Sequence, residues 1–421
     1  MASKNKDNSV AIIGAGLYGL VTAKTFLCDS SNFFSSITVF EKDSGIGGVW
    51  SENRIYPGLA SNSPALTYEI PGFPYPEHLR KIGGHVKAAD INAYLRAFAK
   101  SYDLTRHISF NSHVTDITWI ETDQKWRVKG KNFNGEFERA FRFLVVCNGM
   151  YHEKNIPAIA RQARGESLPK VFHSADVGDP KIQKILSDSS HTLVVGAGKS
   201  AIDLATMIAS GAWSPNTVSP QVTLIYKRPH WLSPRRMLRG TICFEQLLFS
   251  RFVNAWLPFA PHPDAVHKWI AESVLGKWMT DMIFRFLSDD FPKCCHQQDL
   301  LETIPDHPMR ESLSGALHVV PDGYIESIRD NKIRVVLGSV QSISDAGVQI
   351  CTLKGEVESL KVDSILFATG YKIPYRNIAF NGFAYSLLNP TVSFVCAHWI
   401  AEYFQGLIIL PDAESIERGK I

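Results

Sequence analysis

Two short runs, Gly14-Ala15-Gly16-Leu17-Tyr18-Gly19 and Gly196-Ala197-Gly198-Lys199-Ser200-Ala201, constrain the fold of this chain more than any other feature. Each is entered from an apolar strand-like stretch, Val10 to Ile13 and Leu193 to Val195, and opens an apolar helix-like one. That context turns a weak G-x-G-x-x-G match into a phosphate-binding turn. The glycines permit a tight bend and let a pyrophosphate approach the backbone, where the helix start offers unpaired N–H groups and a partial positive charge. The pattern predicts two dinucleotide sites, one built on Gly14, Gly16 and Gly19, the other on Gly196, Gly198 and Ser200, whose hydroxyl can donate to a phosphate.

The ends of the next strands separate the two sites. Ile37 to Phe40 runs into Glu41, which follows Gly19 by 22 residues, close to the spacing of about 20 at which a carboxylate meets a ribose hydroxyl. A carboxylate there disfavours a 2′-phosphate. Val222 to Tyr226 ends instead in Lys227-Arg228, a basic pair able to neutralise the 2′-phosphate of NADP, the alternative being a solvated surface pair. FAD is expected at the first turn and NADPH at the second.

The rest of the chain is compatible with an α/β enzyme. Its 421 residues suggest two or three domains, and 45% hydrophobic with 20% charged residues is ordinary for such a protein. A formal net charge of +3 is too small to imply nucleic acid. Met1 to Ser9 is polar and lacks the apolar core of a signal peptide, so residence in the cytosol is the expectation. Seven cysteines include no C-x-x-C, and the fourteen histidines form no H-E-x-x-H or similar group, so neither a dithiol centre nor a metal is expected. Redox chemistry has to come from cofactors.

Along the chain, Gly45 to Pro76 reads as a long loop, and loops of that length within a compact domain are usually functional. Ala88 to Lys100 reads as an amphipathic helix. Val114 to Ile120, Trp126 to Lys129 and Phe137 to Cys147 read as strands. Asn155 to Leu168 is a crossover between domains. Pro229 to Pro308, dense in Trp, Phe, Met and Pro, reads as an inserted helical cap whose runs are broken by Pro258, Pro261 and Pro263. None of these runs is long enough to span a membrane. The insert's aromatics either pack on the domain's own surface or serve a substrate-lining or membrane-surface role. Val362 to Phe367 is a buried strand ending in Ala368-Thr369-Gly370-Tyr371, and His398 to Phe404 a closing helix ended by Gly406. The fold class is thus α/β: two Rossmann-like dinucleotide-binding domains, the second interrupting the first, with a helical insert. The first domain takes residues 1–155, the second 156–360 with the insert at about 229–308, and 361–421 closes the first.

Taken together, Gly14 to Gly19 with Glu41, Gly47-Gly48-Val49-Trp50, Tyr56-Pro57-Gly58 followed by Ser61-Asn62-Ser63-Pro64, Gly196 to Ala201, and Ala368-Thr369-Gly370-Tyr371 resemble the flavin-containing monooxygenases, the class B NADPH-dependent flavoproteins. The insert looks most like that of fungal members associated with secondary metabolism. The resemblance implies hydride transfer from NADPH to FAD, then O2 addition and oxygen transfer from a flavin C4a-hydroperoxide to a small organic substrate, by N- or S-oxygenation or hydroxylation. It makes Asn62 the catalytic candidate, beside the reacting ends of flavin and nicotinamide, with a turn role in Ser61-Asn62-Ser63-Pro64 as the alternative. Gly48, Trp50, Val114, Thr369 and Gly370 join the cofactor-binding candidates, and a core role for Trp50 stays open. His173 is read as holding an interdomain turn by a hydrogen bond.

Three departures from the family pattern bear on function. The F-x-G-x-x-x-H-S fingerprint appears as Ser167 to Ser174, keeping only His173-Ser174. Val177 stands where an aromatic is usual and where a Baeyer-Villiger fingerprint carries Trp, which disfavours lactone formation. Only Lys372 to Arg376 separate Tyr371 from the expected strand Asn377 to Phe383, where family members have a much longer segment. A Baeyer-Villiger monooxygenase, and a shortened flavoprotein that releases peroxide or serves as an accessory partner, remain as alternatives.

Overall fold

The computed structural model describes residues 7–30, 32–81, 84–163, 165, 168–213, 220–238, 241–243, 250, 256, 265–312, 317–372 and 389–408. In chain order the strands are β1 (Ser9–Ile13), β2 (Ser36–Phe40), β3 (Ala60–Pro64), β4 (His85–Lys87), β5 (Ile108–Ser109), β6 (His113–Ile120), β7 (Lys125–Asn132), β8 (Gly135–Phe141), β9 (Phe143–Val146), β10 (Lys170–His173), β11 (His191–Val195), β12 (Gln221–Tyr226), β13 (Trp231–Ser233), β14 (Arg236–Met237), β15 (Ile242–Cys243), β16 (Leu317–Val319), β17 (Ile333–Ser344), β18 (Gly347–Thr352), β19 (Val357–Leu360) and β20 (Ser364–Phe367). The helices used below are α1 (Leu17–Lys24), α2 (Ala88–Ser101), α3 (Pro180–Asp188) and α4 (Lys199–Ala209).

Two sheets share one plan. The first has the order β5-β2-β1-β9, all parallel. In the second, β10-β20-β11-β12-β17 run parallel and β18 and β19 add antiparallel strands at one edge. In each, the strand that enters a glycine turn lies between the strand that ends in the charged switch and a strand from much later in the chain. Val10, Ala11 and Ile12 in β1 and Thr192, Leu193 and Val194 in β11 are fully buried, as parallel strands covered on both faces must be. Such strands read as continuous apolar runs, which is why both turns stood out in the sequence.

The chain returns to its first domain at the end. The helix Asn389–Phe404 packs on α1, and Phe404 stacks on Phe143 at 4.6 Å between ring centroids while meeting Phe26 and Phe34 edge-on. The helix begins earlier than His398, and Gly406 follows its end with a φ of 75°. Each domain therefore has its own apolar core, one around Leu20, Val39 and Phe98, the other around Val194, Leu204 and Leu224.

Four expectations need correction. The strand expected at the head of the closing segment, β20, lies inside the second sheet between β10 and β11, so the second domain continues through about residue 370 and not 360. The run Phe137 to Cys147 is two strands: β8 completes the antiparallel meander β6-β7-β8, and β9 joins the first parallel sheet. An apolar run does not say which sheet receives it. The loop Gly45 to Pro76 contains β3, which pairs with β4. The insert is also not purely helical. Its helices Ala265–Glu272 and Val274–Cys294 are accompanied by the hairpin β14-β15 and by β13, which pairs in parallel with β16 beyond the expected boundary. Pro258, Pro261, Pro263 and the stretch after Lys372 through Phe383 lie outside the described residues.

Candidate active site

The two glycine turns correspond at their first glycine, and the third position is Gly19 in one and Ala201 in the other. Gly14 has φ 104° and Gly196 φ 141°, values that suit glycine alone. A Cβ on Gly14 would stand 2.7 Å from the Cys147 carbonyl oxygen, and one on Gly196 would stand 2.3 Å from that of Ala368. Cys147 and Ala368 follow β9 and β20, so each turn is pressed on the end of the neighbouring strand. Gly19 is held closer still, where a Cβ would fall 1.8 Å from the Gly14 oxygen. Gly198 differs: a Cβ there meets nothing within 4 Å. The first and third glycines of the motif are demanded by packing, whereas Gly198 keeps an approach open. Gly16 and Gly198 are the N-caps of α1 and α4, and no side chain caps either helix. By contrast Asp179 caps α3, accepting from Lys181 N. Both helix starts thus leave donors for an anion.

Around the first turn, Gly47 and Gly48 dock on the motif. Gly47 N donates to Ala15 O at 3.0 Å, and a Cβ on Gly48 would come 3.1 Å from Gly16 Cα. Glu41, 6% exposed, accepts from Ala15 N at 2.7 Å and from Asp43 N at 2.9 Å. Burial pushes its carboxyl up from the ordinary range, and these two N–H donors oppose that rise. The carboxylate therefore sits at the turn, on the strand end where a ribose would be met. Trp50 is half-buried; its indole N–H donates to Tyr68 Oη at 2.8 Å and its carbonyl accepts from Asn92 Nδ2 at 2.7 Å. It holds the loop. Val114 packs against Phe40, Val128 and Phe141 behind the same strand end.

Around the second turn, Ser200 is exposed on the first turn of α4, and Lys227 and Arg228 are exposed at the end of β12. Arg228 Nε donates to Asp306 at 3.3 Å. Lys199, which sequence reading passed over, donates through Nζ to Asp203 at 2.6 Å. Burial raises the Asp203 carboxyl, and the Lys199 ammonium opposes that. The i,i+4 spacing of Lys199 and Asp203 directly after the glycines was the available signal.

Between the domains lies a cavity of about 190 Å³, lined by Gly58, Ala60, Ser61 and His85 from the first domain and by Lys199, Asp203, Arg235 and Asp322, among others, from the second. Asn62, next to the cavity-lining Ser61, joins the two domains: its Oδ1 accepts from Val319 N at 2.9 Å and its Nδ2 donates to Leu317 O at 3.4 Å. The amide thus pins β3 to β16, a partner 257 positions away that no local pattern announces. His318, between these two partners on β16, is buried beside His230, which lowers its pKa to about 3 and keeps its imidazole neutral.

The two crossovers between domains are knitted together. Asn155 N donates to Gly370 O at 3.0 Å and Thr369 Oγ1 to Asn155 O at 2.5 Å. His173 accepts from Ala175 N through Nδ1 and donates through Nε2 to Gly370 O at 3.0 Å, so it fastens the turn as the sequence suggested. Arg54 reaches over to Tyr151 O and Tyr371 Oη. The Thr369 hydroxyl and the Gly370 carbonyl, expected at a cofactor, are engaged in this link. Val177 is fully buried in the second core with Tyr56 and Leu186.

Known proteins resemble this chain over most of its length. The family model described as flavin-binding monooxygenase-like matches residues 7–380. A probable flavin-containing monooxygenase of Arabidopsis thaliana is 26% identical over 395 residues, covering 87% of this chain and 71% of that protein. An FAD-dependent monooxygenase of Fusarium langsethiae is 25% identical over 379 residues, covering 87% of this chain and 62% of that one. Among solved structures, OTEMO in complex with FAD and NADP superposes with a TM-score of 0.65 at 17% identity, covering 96% of this chain and 86% of that one. This last likeness is one of fold.

Proposed function

The chain belongs to the flavin-binding monooxygenase-like family, and from that membership we propose that it is an FAD- and NADPH-dependent monooxygenase acting on a small organic substrate. One observation carries the reading. Two glycine turns occupy the same place in two sheets of the same plan, and the strand beside the first ends in a buried carboxylate while the strand beside the second ends in an exposed basic pair. The uncapped helix starts and the open side of Gly198 fit a bound pyrophosphate.

Bound FAD supplies the relay that takes electrons from NADPH and activates O2. The chain does the rest. On the turn that Gly14 and Gly19 shape by packing, Gly16 and Gly48 would bring backbone to the FAD pyrophosphate, and Glu41 would serve its ribose. On the turn that Gly196 shapes, Gly198 and Ser200 would hold the NADPH pyrophosphate, and Lys227 and Arg228 at the end of β12 would meet its 2′-phosphate. Asn62 acts chiefly as a positioning residue, because its amide fixes the distance between the domains along the cavity. The crossovers, tied by His173, Arg54 and Asn155, keep that cleft in register and limit the entry of water. N- or S-oxygenation or hydroxylation is favoured over lactone formation because Val177 fills its place with core packing.

The experiment is to purify the protein with FAD and measure NADPH consumption, O2 uptake and hydrogen peroxide release with and without candidate amines and sulfides. Substrate-dependent consumption with little peroxide supports the proposal. Peroxide equal to NADPH consumed with every compound offered would favour the shortened, non-oxygenating flavoprotein.

A further inference from the structure

Of the cations near the second glycine turn, the strand beside it and the adjoining cavity, three are paired with a carboxylate. Lys199 pairs with Asp203, Arg228 with Asp306 at 3.3 Å and Arg235 with Asp322 at 3.3 Å. The carboxylates differ in how far they can yield. Asp203 is 7% exposed on α4, whereas Asp306 and Asp322 are each 85% exposed. Only the two exposed ones can turn away when a phosphate arrives.

Their positions also differ. Arg228 stands at the end of β12, where the second site meets the adenosine ribose, and Arg235 lines the interdomain cavity. His307, next to Asp306 in the chain, is turned inward and its Nε2 meets Ser312 Oγ at 2.7 Å, so Arg228 is the partner shown for the Asp306 carboxylate. Asp306 takes only the Nε donor of Arg228, so its terminal nitrogens stay open to a phosphate, and the competition is between two anions for one cation rather than for one set of donors. A carboxylate that swings aside on a short side chain also remains near enough to repel a dianion.

We propose that Asp306 is a specificity-determining residue: it stands in for the coenzyme's 2′-phosphate on Arg228 in the nucleotide-free protein and competes with that phosphate when the nucleotide binds. The inference rests on the reading of the second site as the NADPH site. It predicts that the chain discriminates between phosphorylated and unphosphorylated coenzyme less sharply than Lys227 and Arg228 would allow alone.

The test is calorimetric binding of 2′,5′-ADP and of 5′-AMP to the FAD-loaded protein, which needs no turnover. Asp306→Asn should bind 2′,5′-ADP about fivefold more tightly, the order expected for freeing one exposed ion pair, with 5′-AMP unchanged. That gain should shrink as salt is raised. Asp322→Asn, which frees Arg235 instead, should leave the ratio of the two affinities where it is. Asp306 is exposed, so folding of the variant is not at risk. A wild type that prefers 2′,5′-ADP while Asp306→Asn leaves its affinity unchanged or weaker, or tightens both ligands alike, would overturn this inference alone. A wild type and an Asp306→Asn variant that both bind the two ligands equally would overturn the inference together with the reading of the site.

Discussion

Gly196 and Gly198 belong to one motif, yet the geometry assigns them opposite duties. Alanine at 196 would have to hold a φ of 141° with its Cβ 2.3 Å from the Ala368 carbonyl oxygen, and strain of that kind with overpacking amounts to roughly 3 kcal/mol or more. Alanine at 198 meets no atom within 4 Å and takes a φ of −75°, which any residue adopts. The gain from a stiffer unfolded chain offsets the poorer N-cap, leaving stability within about 1 kcal/mol of wild type. The same methyl group blocks the approach of pyrophosphate to the start of α4. Loss of one charge-assisted bond there costs about 1.5–3 kcal/mol, or roughly tenfold to a hundredfold in affinity. Thermal unfolding and equilibrium NADP binding, measured on both variants, separate the effects. Gly196→Ala should unfold early or fail to accumulate, and Gly198→Ala should melt near wild type but bind NADP weakly. A Gly198→Ala protein that binds NADP normally, or that melts as early as Gly196→Ala, would refute the assignment.

Other consequences follow from the same geometry. Asn62→Ala leaves Val319 N without its acceptor and should cost about 1–3 kcal/mol of stability; it should keep FAD but raise the ratio of peroxide released to NADPH consumed, whereas an unchanged ratio would show that β16 needs no such tether. Arg228→Ala should weaken NADPH binding by roughly tenfold to a hundredfold and leave NADH alone; equal loss for both would place Arg228 away from the 2′-phosphate. His318 has a folded pKa depressed to about 3 by burial, against about 6.5 in an unfolded chain. The unfolded state therefore takes up the proton first as pH falls, so His318's contribution to stability is intact above about pH 6.5 and declines below it. Between pH 7.5 and 5.5 the loss from this one group is about 1.4 kcal/mol, and denaturant unfolding of His318→Asn should show a correspondingly flatter pH profile; an equal slope in wild type and variant would contradict the burial argument.

The nucleotide turns were legible because their signals are local: apolar strand, glycines, apolar helix, and a charge at the next strand end. Glu41, Lys227 and Arg228 all lie at those ends. What stayed hidden depends on distant pairing. That β20 enters the second sheet is decided by Ser364 to Phe367 meeting Thr192 to Val195 in parallel register, and parallel pairing carries no turn signature. Asn62 resembled a turn or catalytic residue, but its shown partners are backbone atoms of β16. Arg142 divides β8 from β9 between two sheets where charged alternation in Gly135 to Phe141 gives way to the apolar run Phe143 to Val146, a change that Phe141 and Phe143 on either side obscure. Arg235 and Asp322 carried no motif and became visible only as walls of the cavity.

The central claim is that the first turn holds FAD and the second holds the 2′-phosphorylated coenzyme that reduces it. Anaerobic mixing of the purified yellow protein with NADPH or NADH, followed at the flavin absorbance band, tests both halves at once. The account predicts a protein that carries FAD and is bleached much faster by NADPH than by NADH, with the gap narrowed in Arg228→Ala. A colourless protein that cannot be reconstituted with FAD, or one reduced equally fast by both coenzymes, would contradict it.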